Sequence, residues 1–338
     1  MAKENGTQLS KNERRAQARE QARLAREREK KREKRNRLLL QGGVVVGVLA
    51  ILGIVALILT QTMKPAGPGP ENMASGGVVI EKDLAVRQGP ALEDGEKRVA
   101  PEVDRDKLPL DVTVYVDYSC SHCASFEQQN GEMLGNWVGS GDSTVEIYPV
   151  NILDTTATNN YSTRAANLLS CVVNGGSEDG VVFSLHNQLL SAEIFDKMQT
   201  QGGLSDDELV ALAEQNGADA DEELKQCVKD QRFGSFITQN TAVATQEGIV
   251  GLAKGARLID DSTTGTLQPA GEPQKLRGTP LVIVNGQQWN ANEGTLDNYL
   301  AKIKGEIEQN GGSSKNAEDD SAKSDTTAGD EADKKKSE

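Results

Sequence analysis

The stretch VYVDYSCSHC, residues 114–123, sets an apolar, β-branched run directly against two cysteines spaced C-x-x-C, with a histidine between them. Extended backwards, DVTVYVDY (111–118) carries an unbroken run of β-branched and aromatic residues from Val112 to Val116. That pattern predicts a central strand buried on both faces. A helix is predicted from Cys120 to about Trp137, and TVEIYPV (144–150) is a second strand. Strand, helix, strand opens an α/β sheet.

The chain has four cysteines, and the other two narrow what this pair can do. A zinc clip needs a second pair at close spacing, but Cys171 and Cys227 are single and far apart, each inside a helical pattern. A bridge between Cys120 and Cys123 closes too small a loop to constrain much of the unfolded chain. A redox couple accounts for every part. A cysteine where a strand turns into a helix meets unpaired N–H groups and the positive end of the helix dipole, which favour a thiolate. His122 offers a charge or a donor beside it. Cys123, one turn in, is placed to resolve a mixed disulfide. Asp117 has two readings, a proton-handling group or a strand-end residue that caps the helix. His186 lies on an apolar helix face and reads as core, and Trp137 and Trp289 read as packing.

Outward from this stretch the middle of the chain is helical. YSTRAANLLSCVV, VVFSLHNQLLSAE, LSDDELVALAEQNG and DEELKQCVKDQRF all carry helical spacing, and Ser205 with Glu208 forms a capping box. Strand returns at LVIVNGQQW (281–289), with Asn285-Gly286 as a type I′ turn, and 294–310 closes as a helix. Residues 311–338 hold no Val, Ile, Leu, Met or aromatic residue and are expected to be disordered.

The other flank fixes the compartment. Residues 1–37 carry 14 Lys/Arg and 6 Asp/Glu (14 − 6 = +8), so the rest of a chain of net charge −14 carries −22. Between the two signs lies an uncharged apolar run of 23 residues, 38–60, long enough to span about 30 Å of hydrocarbon as a helix. The basic residues beside it predict a cytoplasmic amino terminus and an extracytoplasmic remainder. The expected order is a basic cytoplasmic segment (1–37), a transmembrane signal anchor (38–60), a Pro/Gly-rich linker (61–76), a folded domain (77–310) with a helical insertion at about 157–248, and the tail. The basic run reads as topogenic rather than nucleic-acid-binding. Gly43 and Gly47 form a G-x-x-x-G. In an oxidising compartment Cys171 and Cys227 are expected to pair; the alternative is two separate buried thiols.

VYVDYSCSHC at a strand-to-helix junction, then a helical block, then GTPLVIVNG (278–286), resembles the DsbA-like thiol–disulfide oxidoreductases. The layout is similar to their membrane-anchored actinobacterial members, and FSLHNQLL and LAEQNGADADEELKQCV resemble helix motifs of the family. The resemblance implies a thioredoxin-like fold with an inserted helical domain, preceded here by a single transmembrane helix. It implies catalysis by Cys120, His122 and Cys123, with a cis Pro280 facing them and Thr279 offering backbone groups to substrate. It implies no cofactor, exported reduced proteins as substrates, and a vitamin K epoxide reductase-like or DsbB-like membrane re-oxidant. Membrane lipid is met through the one helix. Two features depart from the family. Ser-His stands between the cysteines in place of Pro-His, and a segment at about 252–278 separates GIVG (248–251) from Thr279, read as a surface insertion near the substrate groove. A reductase or isomerase uses the same residues in reverse. A copper or thiol-binding module is a third reading, with only His122 nearby to serve it.

Overall fold

A computed structural model of the chain describes residues 67–324, with side chains to residue 310. The basic segment, the apolar run 38–60 and residues 325–338 lie outside the described residues, and among those described no helix is long and apolar enough to cross a membrane.

The strands are β1 (Val78–Glu81), β2 (Ala85–Val86), β3 (Leu110–Val116), β4 (Ser143–Pro149), β5 (Ile259–Asp261), β6 (Thr266–Leu267), β7 (Leu281–Val284) and β8 (Gln287–Gln288). Six form one sheet in the order β2-β1-β4-β3-β7-β8, and β5 pairs with β6. The two central strands run parallel, Val112 opposite Val145 and Val114 opposite Ile147. They are joined by helix α1 (Ser121–Ser140), which makes the crossover that a parallel pair requires. On its other side β3 pairs antiparallel with β7, Thr113 opposite Ile283.

Alternation along these strands feeds two cores. Val112, Val114, Val116, Val145, Ile147, Val282 and Val284 point to one face, under α1 and the helical block. Tyr115, Tyr148, Leu281 and Ile283 point to the other. The strands read as continuously apolar because both faces are covered. The helical block comprises α2 (Tyr161–Gly175), α3 (Val181–Leu189), α4 (Ala192–Gln201), α5 (Asp206–Gln215), α6 (Glu222–Lys229) and α7 (Gly234–Ala242), the last running into a wide turn at Val243–Glu247.

Three expectations need correction. The segment at 252–278 is no mere surface loop: Leu258 and Leu276 are buried with Tyr115 and Tyr148 and cover the second face of the sheet. Two buried glutamines stitch it together, Gln274 accepting from Leu258 N–H and Gln268 from Lys275 N–H. The linker ends earlier than residue 76, since Met73 is fully buried and the Ser75 hydroxyl donates to buried Glu146 across 2.5 Å. A single large apolar residue among Pro and Gly is enough to dock the segment. The closing helix α8 runs Leu296–Ser324, into the stretch whose composition predicts disorder; its first turns supply the costly nucleus, from which the helix extends although Gly, Ser, Asn and Asp there are poor helix formers.

Candidate active site

Strand β3 ends at Val116, and Asp117, Tyr118 and Ser119 turn the chain into α1, whose N-cap is Cys120 in an extended backbone conformation (φ −85, ψ 121). The Cys120 N–H is tied back to the Asp117 carbonyl at 3.0 Å, and the Cys120 carbonyl accepts from Ala124 N–H. The sulfur therefore sits at the open end of the helix. Cys120 is 5 % exposed and Cys123 0 %. Neither is bridged.

The two thiols are driven apart in acidity. Cys120 falls from 9.0 to about 5, chiefly through its hydrogen bond with Cys123, against an opposing burial penalty; Thr279 and the backbone N–H groups of Cys123 and His122 add to the fall. Cys123 is pushed far up by burial, and further by the hydrogen bond and charge of Cys120. Such unequal acidity is what a nucleophile and a resolving thiol require. His122 meets Cys120 through its main chain. The residue is exposed, and its contribution to Cys120 comes through its N–H at the helix start.

Thr279 and Pro280 close the site from β7. The Cys120 thiol donates to the Thr279 carbonyl across 3.3 Å, over a sequence separation of 159, and the Thr279–Pro280 bond is cis. The insertion hands the chain to this loop, with Arg277 paired to Asp260 at 2.8 Å.

Asp117 is fully buried. Its carboxylate accepts from Ser119 N–H, from the Ser162 hydroxyl and from Leu153 N–H. These three donors occupy it as an anchor that ties the turn to α2 and to the loop after β4, and none of the carboxylate's described hydrogen bonds goes to a cysteine, whereas the Asp117 carbonyl holds the Cys120 N–H. Burial nevertheless raises it from 3.8 to about 6.

Cys171 and Cys227 are joined by a disulfide between α2 and α6, remote in sequence from the Cys120 turn. Trp137 lies near the far end of α1, about 25 Å along the helix from Cys120, and donates to Asp297. Trp289 packs near Phe126. Among the described residues no group of three or more His, Cys, Asp or Glu is placed to hold a metal ion.

The site also contains groups the sequence reading missed or set aside. His186, read as core, is 2 % exposed and bonded on both nitrogens, to Tyr118 and to Glu127. The available signal was Glu127, a carboxylate one turn past Cys123 on the same helix face.

Residues 106–252 match the thioredoxin family. The domain is thioredoxin-like. No curated protein matches the chain. Among solved structures, the oxidoreductase DsbG of Mycobacterium tuberculosis is 21 % identical (TM-score 0.45, covering 68 % of this chain and 86 % of that one). The DsbA of Mycobacterium tuberculosis is 19 % identical (TM-score 0.45, 68 % and 91 %), and the thiol–disulfide oxidoreductase MdbA of Corynebacterium diphtheriae is 15 % identical (TM-score 0.44, 72 % and 93 %).

Proposed function

We propose that this chain is a thiol–disulfide oxidoreductase that introduces disulfides into exported proteins through Cys120 and Cys123, outside the cytoplasmic membrane. The observation that carries the reading is the unequal thiol pair at a helix start, Cys120 lowered to about 5 beside a buried Cys123 raised far above its ordinary value. In the oxidised form a substrate thiolate attacks the Cys120 sulfur, the Cys120–Cys123 bond breaks, and Cys123 keeps its electron pair. A second substrate thiolate then attacks the substrate sulfur of the mixed disulfide. The substrate leaves oxidised, and Cys120 leaves as a thiolate. A low leaving-group pKa speeds this release, and a stabilised dithiol form makes the couple oxidising.

The location rests on the basic segment and the apolar run 38–60, read as an uncleaved anchor. The second disulfide fits an oxidising compartment. A quinone-linked membrane protein, vitamin K epoxide reductase-like or DsbB-like, is the proposed re-oxidant. Reductase or isomerase activity uses the same residues, so direction is the point to test. The oxidised chain is mixed with a reduced multi-disulfide protein, and regain of that protein's activity is followed beside an insulin-reduction assay. Faster oxidative refolding with weak insulin reduction supports the oxidase; the reverse pattern makes it a reductase. Brief alkylation of the dithiol form below pH 7 should label Cys120 first, and faster labelling of Cys123 overturns the assignment of roles.

A further inference from the structure

The loop that meets Cys120 runs backwards into a strip of main chain that the fold leaves bare. Arg277 and Gly278 are exposed, and among the described residues their N–H and carbonyl groups make no hydrogen bond. Thr279, next along, meets the Cys120 thiol through its carbonyl at 3.3 Å. Gly278 is glycine for no internal reason. Its φ lies outside the left-handed region, and a Cβ built there would find nothing within 4 Å apart from its chain neighbours. A glycine that neither conformation nor interior packing requires serves approach from outside, where the absent side chain lets another main chain come close. An extended chain can pair with such a strip.

The insertion sets a charge pair beside it. Arg277 Nε donates to Asp260 Oδ1 at 2.8 Å, and the two terminal amino groups of the guanidinium make no hydrogen bond among the described residues. Asp260 lies on β5, which is braced on both sides of it in sequence and in space. Leu258 is buried in the second core, Ile259 pairs with Leu267 of β6, and Ile259 N–H donates to the Gln288 side-chain oxygen on β8 at 2.7 Å. The carboxylate is a fixed point that pins the guanidinium by one edge. The two side chains are 50 % and 41 % exposed. So open a pair adds little to stability, but a guanidinium held in place with its fork unused is suited to receive a carboxylate.

We propose that Arg277 and Asp260 are specificity-determining residues of the thiol exchange, favouring partner segments that carry an acidic side chain about two residues from the reacting cysteine. The inference rests on the exchange proposed above. A partner sulfur bonded to Cys120 stands about 2 Å from it, and so beside Thr279. Arg277 is two residues from Thr279, at most about 7 Å along the chain. A partner laid along the strip therefore brings a residue two places from its cysteine opposite Arg277. A carboxylate there takes both open amino groups as a bidentate pair, whereas a lysine meets a like charge. Beyond residue 37 the chain carries −22 (−14 − 8) and repels acidic segments at long range, so the preference is one of position and not of net charge.

The test uses the full chain in its dithiol form and isomeric peptides with one cysteine, each held as a mixed disulfide with thionitrobenzoate. The Cys120 thiolate bonds to the peptide sulfur, the bond to thionitrobenzoate breaks, and the electron pair leaves with that coloured thiolate. One isomer has an aspartate two residues before or after the cysteine; in the other the same aspartate lies at the far end of the peptide. Composition and net charge are equal, so the near-to-far ratio of rates reads position alone. On one side of the cysteine the ratio should be about threefold to fivefold at low salt and fall towards one at about 0.5 M salt. Arg277→Gln should bring it to one. Asp260→Asn keeps an acceptor for Nε and removes the competing charge, so it should raise the ratio by about twofold. Gly278→Ala should slow every peptide by about threefold or more relative to the mixed disulfide of 2-mercaptoethanol, which has no main chain to lay on the strip. A ratio of one on both sides, a ratio that survives Arg277→Gln or falls with Asp260→Asn, or peptides indifferent to Gly278→Ala would overturn the proposal. If a variant does not fold, salt decides on the natural chain: a ratio that salt leaves unchanged refutes the idea. A natural chain that releases no colour with any peptide refutes the exchange reading instead.

Discussion

The lowered Cys120 thiol makes stability depend on redox state and pH together. Its value falls from 9.0 to about 5 in the folded dithiol form, whereas the disulfide form has no such group to titrate. For an acid depressed on folding, the stabilisation is complete above the unfolded value and is lost as pH falls through the folded one. At pH 7 two of the four units are realised, about 3 kcal/mol; at pH 5 only about half a kcal/mol remains. Urea unfolding of both redox forms across this range reads the difference directly. The gap in unfolding free energy, dithiol minus disulfide, should grow by about 2 kcal/mol between pH 5 and 7. The small loop closed by the disulfide adds a constant that does not titrate, so the slope isolates the thiolate. By the same linkage the couple becomes about 60 mV more oxidising at pH 7 than it would be with an unperturbed thiol. Cys120→Ser, compared with the dithiol form, should abolish the slope. A gap that is flat with pH, or that closes as pH rises, would show that the thiolate is not stabilised and would remove the basis of the oxidase reading.

Asp117 acts in the opposite direction. Raised to about 6 by burial, it destabilises the fold above that pH by about 3 kcal/mol, and the penalty lifts as pH falls from 6 towards 4; the disulfide form should therefore gain stability on mild acidification, an effect that Asp117→Asn removes. Cys171→Ala with Cys227→Ala opens a bridge of sequence separation 56 and should lower stability by about 4 kcal/mol in the chain-entropy picture, read by urea unfolding, with Cys120 alkylation unchanged. Gly286 has φ +73, and a Cβ there would stand 2.4 Å from the Ala253 backbone nitrogen. Gly286→Ala should therefore lose about 2–4 kcal/mol in the same assay.

Much of the fold is legible because the strands announce themselves locally. DVTVYVDY and TVEIYPV sit in the middle of the sheet, and Asn285-Gly286 turns the late hairpin with φ 49 and 73, as the residue pair demands. Strand β1 is hidden because VVIE is short and follows Pro, Gly and Ser. The cover at 252–278 is hidden because Leu276 stands alone between Lys275 and Arg277 and Leu258 has only Ile259 beside it before two aspartates, with no period to reveal them. At the site, the cysteines carry their own signal and Pro280 is marked by its place before a strand. His186 gives none, since an apolar helix face looks the same whether the histidine on it packs or bonds. Only the fold brings Glu127 and Tyr118 to its two nitrogens.

The middle of the sheet has consequences for the order in which the chain is made. Strand β3 has its parallel neighbour, β4, close behind it in sequence, but its antiparallel neighbour is β7, with Thr113 opposite Ile283. A chain emerging from its amino end presents both Cys120 and Cys123 long before Thr279 exists to meet them, and until β7 arrives one edge of the central strand is open. An open apolar edge is a template for pairing with other chains. The nascent domain therefore carries its most reactive sulfur and its stickiest backbone side by side during the interval when neither has its native partner. That interval is when the nascent domain most needs protection.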